Sequence, residues 1–153
     1  MIRLLPIFLL SLARLHAEDK PIALDLYAFG TSIHVMRQDD RDYNANNAGG
    51  GLGVSSRLSE SVDLTAMAVA FRNSYNYQST AIAAGLRYRW GDLDGLHASA
   101  AAMAGVVQYQ QSIPAILPVV GAGYKWANVE ATALPGPHAL AIGFWLRVSI
   151  PVN

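Results

Sequence analysis

Apolar and polar side chains alternate along most of the chain. The alternation divides it into eight runs, near Leu26–Met36, Gly51–Leu58, Val62–Phe71, Ser79–Trp90, Leu96–Val107, Ala115–Tyr124, Ala127–Leu134 and Ala139–Ile150. A period of two is the signature of a strand with one face on an apolar medium. Most runs approach the ~9–11 residues that a tilted strand needs to cross a bilayer. The connectors also alternate. Ser59–Ser61, Tyr124–Trp126 and Gly91–Gly95 are tight, whereas Gln38–Gly50, Arg72–Gln78, Gln108–Pro114 and Pro135–His138 lie at the opposite end and are mostly longer. The pattern predicts an all-β fold, an eight-stranded antiparallel transmembrane β-barrel with short periplasmic turns and longer outer loops.

Faces follow from the same period. In the third run Val62, Leu64, Ala66, Ala68 and Ala70 face lipid, and Asp63, Thr65, Met67, Val69 and Phe71 face the lumen. In the fourth, Ile82, Leu86, Tyr88 and Trp90 face out, while Ala81, Ala83, Gly85, Arg87 and Arg89 face in. In the last, Leu140, Ile142, Phe144, Leu146, Val148 and Ile150 face out, and Ala139, Ala141, Gly143, Trp145, Arg147 and Ser149 face in. The inward polar residues of these runs fall in the periplasmic half. A polar floor is expected, with Asp63 and Glu130 available to Arg87, Arg89 and Arg147. Above it lies a narrow apolar space, since eight strands leave no room for a water channel. Either that space is a slot for a hydrocarbon chain, or small side chains simply fill a small barrel.

Composition agrees with a membrane barrel. Charged residues make up 14% of the chain and apolar ones 52%, with mean hydropathy +0.23, against about 25% charged residues in soluble domains. Eleven basic and eleven acidic residues balance, which leaves no electrostatic case for nucleic acid. No stretch of about 18 apolar residues offers a transmembrane helix. There are no cysteines, so disulfides and thiolate metal sites are excluded. Arg3, the apolar stretch Leu4–Leu12 and Leu15-His16-Ala17 read as a signal peptide over residues 1–17, leaving residues 18–153 as one barrel domain.

Candidate chemistry concentrates at one break in the pattern, Phe71-Arg72-Asn73-Ser74-Tyr75-Asn76, between the third and fourth runs. It reads either as a polar hairpin loop or as a rim site with a serine as nucleophile or acceptor. Among the histidines, His97 is expected in the floor, His138 in a Pro-Gly-Pro-His loop, and His16 leaves with the signal. No two histidines have metal-ligand spacing. Gly49-Gly50-Gly51 lead into a strand rather than a helix, so they are read as relieving crowding and not as a phosphate cradle.

Several segments in order resemble the lipid A palmitoyltransferase (PagP) family. These are Asp25-Leu26-Tyr27 followed by His34, Tyr43-Asn44, Gly49 to Ser55, Ala70 to Asn76, Ala104-Gly105-Val106, Ile116-Leu117-Pro118 and Leu134-Pro135-Gly136. The resemblance covers nearly the whole chain after the signal. It implies a monomeric outer-membrane acyltransferase without a cofactor, moving a palmitoyl chain from a glycerophospholipid to lipid A, the lipid of lipopolysaccharide. The catalytic positions carried over are His34, Asn73 and Ser74, with Asn73 standing where the family has aspartate. Asn cannot take a proton or stabilise an imidazolium as an anion does, so Asp39, Asp40 and Asp42 are alternative rim groups. The acyl pocket is expected from Gly85, Ala81, Ala83, Met67, Val69, Ala141 and Gly143, with Gly85 at the family's measuring glycine. Pro118 and Pro135 match one of two lateral gates. The other falls at Phe29 and Asn47, without proline, and is expected to be closed. The helix that the family carries before its first strand has little room here. The alternative to an acyltransferase is a non-catalytic barrel that binds lipid or serves a structural role.

Overall fold

The computed structural model describes residues 21–40, 42–92, 94–109, 111–135 and 140–152, with the side chain of Pro135 outside that description. The signal-peptide reading, the segment before Pro21 and His138 therefore lie outside the described residues. Eight strands follow in chain order: β1 (Ile22–Val35), β2 (Asn46–Arg57), β3 (Val62–Arg72), β4 (Gln78–Gly91), β5 (Leu96–Gln108), β6 (Ser112–Tyr124), β7 (Ala127–Pro135) and β8 (Leu140–Val152). Each pairs antiparallel with the next, and β1 pairs with β8, closing the barrel.

The faces match the alternation. Thr65, Met67, Val69, Ala81, Ala83, Arg87 and Trp145 are buried in the lumen, while Ile82, Leu86, Tyr88, Val120 and Leu146 are exposed on the outside. Tyr88, Trp90, Tyr124 and Trp126 are exposed near the short turns, as an interfacial girdle requires. Two boundaries differ from the sequence expectation. β1 begins four residues earlier, at Ile22, and β2 five earlier, at Asn46. Asn46 to Gly50 carry no large apolar side chain, so their pairing with β1 and β3 leaves no trace in the hydrophobic pattern.

One irregularity decides what the upper end of β1 presents. Asp25, Tyr27 and Phe29 face inward. The register on both sides then shifts between Phe29 and Thr31. A bulge of one residue exchanges the faces of everything beyond it. Ser32 is 4% exposed, and its neighbour Ile33, at 50%, points out. Without the shift His34 would point into lipid.

The floor is a connected polar network. Arg87 and Arg147 both hold Glu130, the latter through Nε at 2.8 Å. Trp145 Nε1 donates to the same carboxylate at 2.9 Å, and Arg147 reaches Asp25 at 3.1 Å. Arg89 pairs with Asp63 at 2.7 Å, and His97 Nε2 lies 2.8 Å from Asn128 Oδ1. The pairing of Arg87, Arg89 and Arg147 with Asp63 and Glu130 is as the sequence indicates, and Asp25 is an addition to it.

Glu130 is 1% exposed, and its removal takes the carboxylate from buried Arg87 and leaves Arg147 with Asp25 as its remaining one. Glu130→Ala is expected to lower stability by about 3–5 kcal/mol. Urea titration in lipid vesicles, followed by Trp145 fluorescence, measures it. An unchanged midpoint would mean that the floor does not hold the barrel together.

Candidate active site

The loop between β3 and β4 is built around Asn73. Its Oδ1 accepts from the backbone N–H groups of Tyr75 and Tyr77, at 2.9 and 3.0 Å, and its Nδ2 donates to Ser79 Oγ at 2.9 Å. Backbone bonds from Asn73 N to Tyr77 O and from Asn76 N to Asn73 O close the turn. Asn76 takes the left-handed conformation there, φ 69°, which asparagine tolerates better than most residues. The loop before β2 clamps this turn from the side. Asn44 N donates to Ser74 O at 2.9 Å, and Asn44 Nδ2 to Asn73 O at 3.2 Å.

The clamped turn presents Ser74 to β1. His34 Nε2 lies 2.6 Å from Ser74 Oγ. With the proton on Nδ1, the serine hydroxyl donates to the imidazole, the contact a hydroxyl nucleophile and its base require. Tyr43 stacks on His34 with ring centroids 4.7 Å apart and planes 13° apart. Its hydroxyl donates to Asp39 Oδ1 at 2.8 Å, and the Arg37 guanidinium lies 5.4 Å from its ring centre. Burial, together with the hydrogen bond to Asp39, pushes the Tyr43 phenol up to about 12, so it stays a neutral donor at physiological pH.

Of the three candidate catalytic positions, the structure brings His34 and Ser74 together. Asn73 is next to Ser74 in sequence, but all of its side-chain bonds stay within its own turn and with Ser79. Asp39, an alternative rim group, holds Tyr43. The stacking role of Tyr43 escapes motif reading, because an aromatic in a loop carries no periodic signal.

Beneath the pair lies a cavity of about 580 Å³, a volume in the range of small-molecule sites. Met67, Val69, Ala81, Leu117, Ala141, Gly143 and Trp145 are among the residues lining it, and Phe29 stacks on Phe71 with centroids 5.2 Å apart. Ala83 and Gly85 do not reach its lining. They lie one and two inward positions further down β4, where Gly85 pairs between Thr65 and Met103, both fully buried. A Cβ on Gly85 would meet the backbone of β5, 2.0 Å from Ala102 O. The glycine is needed there for strand approach and lies beneath the cavity.

The strand ladder of the wall is broken on one side. β6 and β7 pair only from Tyr124↔Ala127 up to Val119↔Thr132. Pro118 stands directly above, and Thr132 Oγ1 donates to its carbonyl at 2.7 Å. The N–H and C=O of a strand residue point to the same neighbour, so the donor that proline lacks also faces β7. Beyond this point the ladder stops, beside the cavity-lining Leu117 and Leu134. Pro135, on the far side, pairs with Leu140 of β8. At Phe29 and Asn47 the wall is closed, since β1 and β2 stay paired to Thr31↔Asn46 and Ser32 N donates to Ala45 O at 2.9 Å.

The chain matches the family model described as "Antimicrobial peptide resistance and lipid A acylation protein PagP" over residues 13–144. No curated protein matches it. Among solved structures it is similar to Ail, the attachment invasion locus protein of Yersinia pestis, at TM-score 0.58 and 10% identity, covering 87% of this chain and 99% of that one. Ail in complex with the heparin analogue sucrose octasulfate matches at TM-score 0.52 with the same identity and coverage. At that identity the likeness shows the barrel fold alone. The family and the barrel together support an outer-membrane location.

The loop carries its own test. Asn73→Ala deletes an acceptor shared by two amides, each bond being worth about 1 kcal/mol. Hydrogen exchange at the Tyr75 and Tyr77 amides should speed up by about fivefold or more. Asn73→Asp keeps the shared acceptor, and the Ser79 hydroxyl can turn to donate to the second carboxylate oxygen, so protection should be retained. Equal exchange in the alanine variant would show that something else holds Ser74.

Proposed function

This chain belongs to the PagP family of lipid A acylation proteins, and from that premise we propose that it transfers a palmitoyl-type chain from a glycerophospholipid to lipid A in the outer leaflet. The observation that carries the reading is the 2.6 Å contact between His34 and Ser74, set at the mouth of an apolar cavity with an opening between β6 and β7. A donor lipid enters through that opening and lays one acyl chain in the cavity. Ser74 Oγ then attacks the ester carbonyl carbon while His34 takes its proton. The bond from that carbon to the glycerol oxygen breaks, and His34 returns the proton to the departing oxygen. A lipid A hydroxyl repeats the attack on the acyl-serine, and the proton passes through His34 back to Ser74. No metal or cofactor is required for these steps. Residues 1–17 act as the export signal in this reading, and the barrel works as a monomer.

Asn73 favours a second reading, a barrel that binds lipid without turnover. In acyl-transfer triads a carboxylate orients the histidine and stabilises its charged form. Here the stack with Tyr43 can orient His34 but supplies no anion. Expression in a host lacking such an activity, followed by mass spectrometry of lipid A, separates the two readings. An added acyl chain that disappears in Ser74→Ala and His34→Ala supports transfer. An unmodified lipid A in the wild-type strain leaves the lipid-binding barrel.

Chain-length selection tests the cavity under either reading. Each methylene excluded forfeits about 0.8 kcal/mol of burial. Ala81→Leu, which fills part of the lining, should shift the transferred or retained chain toward shorter lengths. An unchanged length distribution in a folded variant would remove the cavity from acyl binding.

A further inference from the structure

The cavity presents mainly apolar surface, and several of the polar groups on its wall are committed. Asn73 Nδ2 is held by Ser79, and Thr132 Oγ1 by the Pro118 carbonyl. Two buried atoms on the wall lack a hydrogen-bond partner among the described residues: Ser32 Oγ and Asn47 Oδ1. Ser32 is 4% exposed and Asn47 7%. A buried hydroxyl without a partner costs about 1–3 kcal/mol, and one that faces a cavity calls for a partner there, a water or a polar atom of a ligand.

The two atoms differ in what they can bind. Asn47 Nδ2 is already used, donating to Arg72 O at 2.9 Å, so its remaining Oδ1 can only accept. Ser32 has a free O–H and can donate. It sits two residues before His34 on the same inward face, beyond the bulge, about 7 Å lower along the strand. Its backbone is fixed by the bond from its N–H to Ala45 O and by pairing with Gly143.

We propose that the Ser32 hydroxyl receives the carbonyl oxygen of the bound acyl ester and stabilises the charge that develops on it. This inference rests on the acyl-transfer reading above for its catalytic part only. As the Ser74 oxygen bonds to the carbonyl carbon, the π electron pair moves onto the carbonyl oxygen. Ser32 donates a hydrogen bond to that oxygen and keeps its proton. The pair returns to the carbon as the bond to the glycerol oxygen breaks. Ser32 is then a catalytic residue, and Asn47 Oδ1 remains an acceptor open to a hydroxyl of the bound lipid.

The experiment has a turnover arm and a binding arm. In the first, Ser32→Ala should lower kcat by about 100-fold with little change in KM, as loss of one oxyanion donor does, and Ser32→Thr should restore most of it. The second uses the Ser74→Ala protein, which cannot turn over. 1-Palmitoyl lysophosphatidylcholine should bind about fivefold tighter than its 1-O-hexadecyl ether analogue, the worth of one hydrogen bond. Adding Ser32→Ala should erase that preference. Equal binding of ester and ether with Ser32 intact overturns the proposal, as does full kcat in Ser32→Ala. A Ser32-dependent ester preference in a protein that transfers no chain would sustain the ester site and reject acyl transfer.

Discussion

Everything above the floor depends on one buried carboxylate. Glu130 on β7 gathers Arg87 from β4, Arg147 and Trp145 from β8, and through Arg147 reaches Asp25 on β1. The network therefore spans the seam where the first and last strands meet. Buried ion pairs gain little net free energy over a well-packed apolar core. Their value here is positional. A charge that has partners in only one alignment penalises every slipped register, in a fold whose strands would otherwise slide on alternating small residues. The same network fills the lower lumen, so the apolar cavity lies above it, beneath the outer rim.

The site is rigid by hydrogen bonding and loose by packing. Asn73, Asn44 and Asn47 tie the two outer loops together through backbone groups, while the cavity below has small or flexible walls at Ala81, Ala141 and Met67. Under the acyl-transfer reading, such a division suits a site that must hold two reacting groups still while a long, featureless chain moves past them. Among the described residues no carboxylate hydrogen-bonds His34, which is the weak point of that arrangement under the acyl-transfer reading. The aromatic stack answers it in geometry and not in charge.

Much of this was legible in the sequence where side chains alternate strictly. Val62–Phe71 and Ser79–Trp90 announce both faces, and the inward Arg87, Arg89 and Arg147 announce a floor. Legibility fails where the backbone decides. Asn46 to Gly50 pair as a strand without large apolar residues to mark it. Gly85 is inward as its parity says, yet the approach of β5 takes the space, so it lies below the cavity. Asn73 has the right place in the chain, but its amide bonds its own turn, a local preference of asparagine that outweighs any pull toward His34. Ser32 looks like a strand polar residue until its want of a partner is seen in three dimensions.

The shift between Phe29 and Thr31 makes the upper end of β1 count in twos. Adding or removing a single residue between the floor and His34 would exchange lumen and lipid for each side chain above it, whatever its chemistry. Adding or removing two would restore the faces but move His34 about 7 Å along the strand, away from Ser74. Length changes are thus ruled out within this strand. The arithmetic of the backbone guards the histidine as firmly as any bond to its ring.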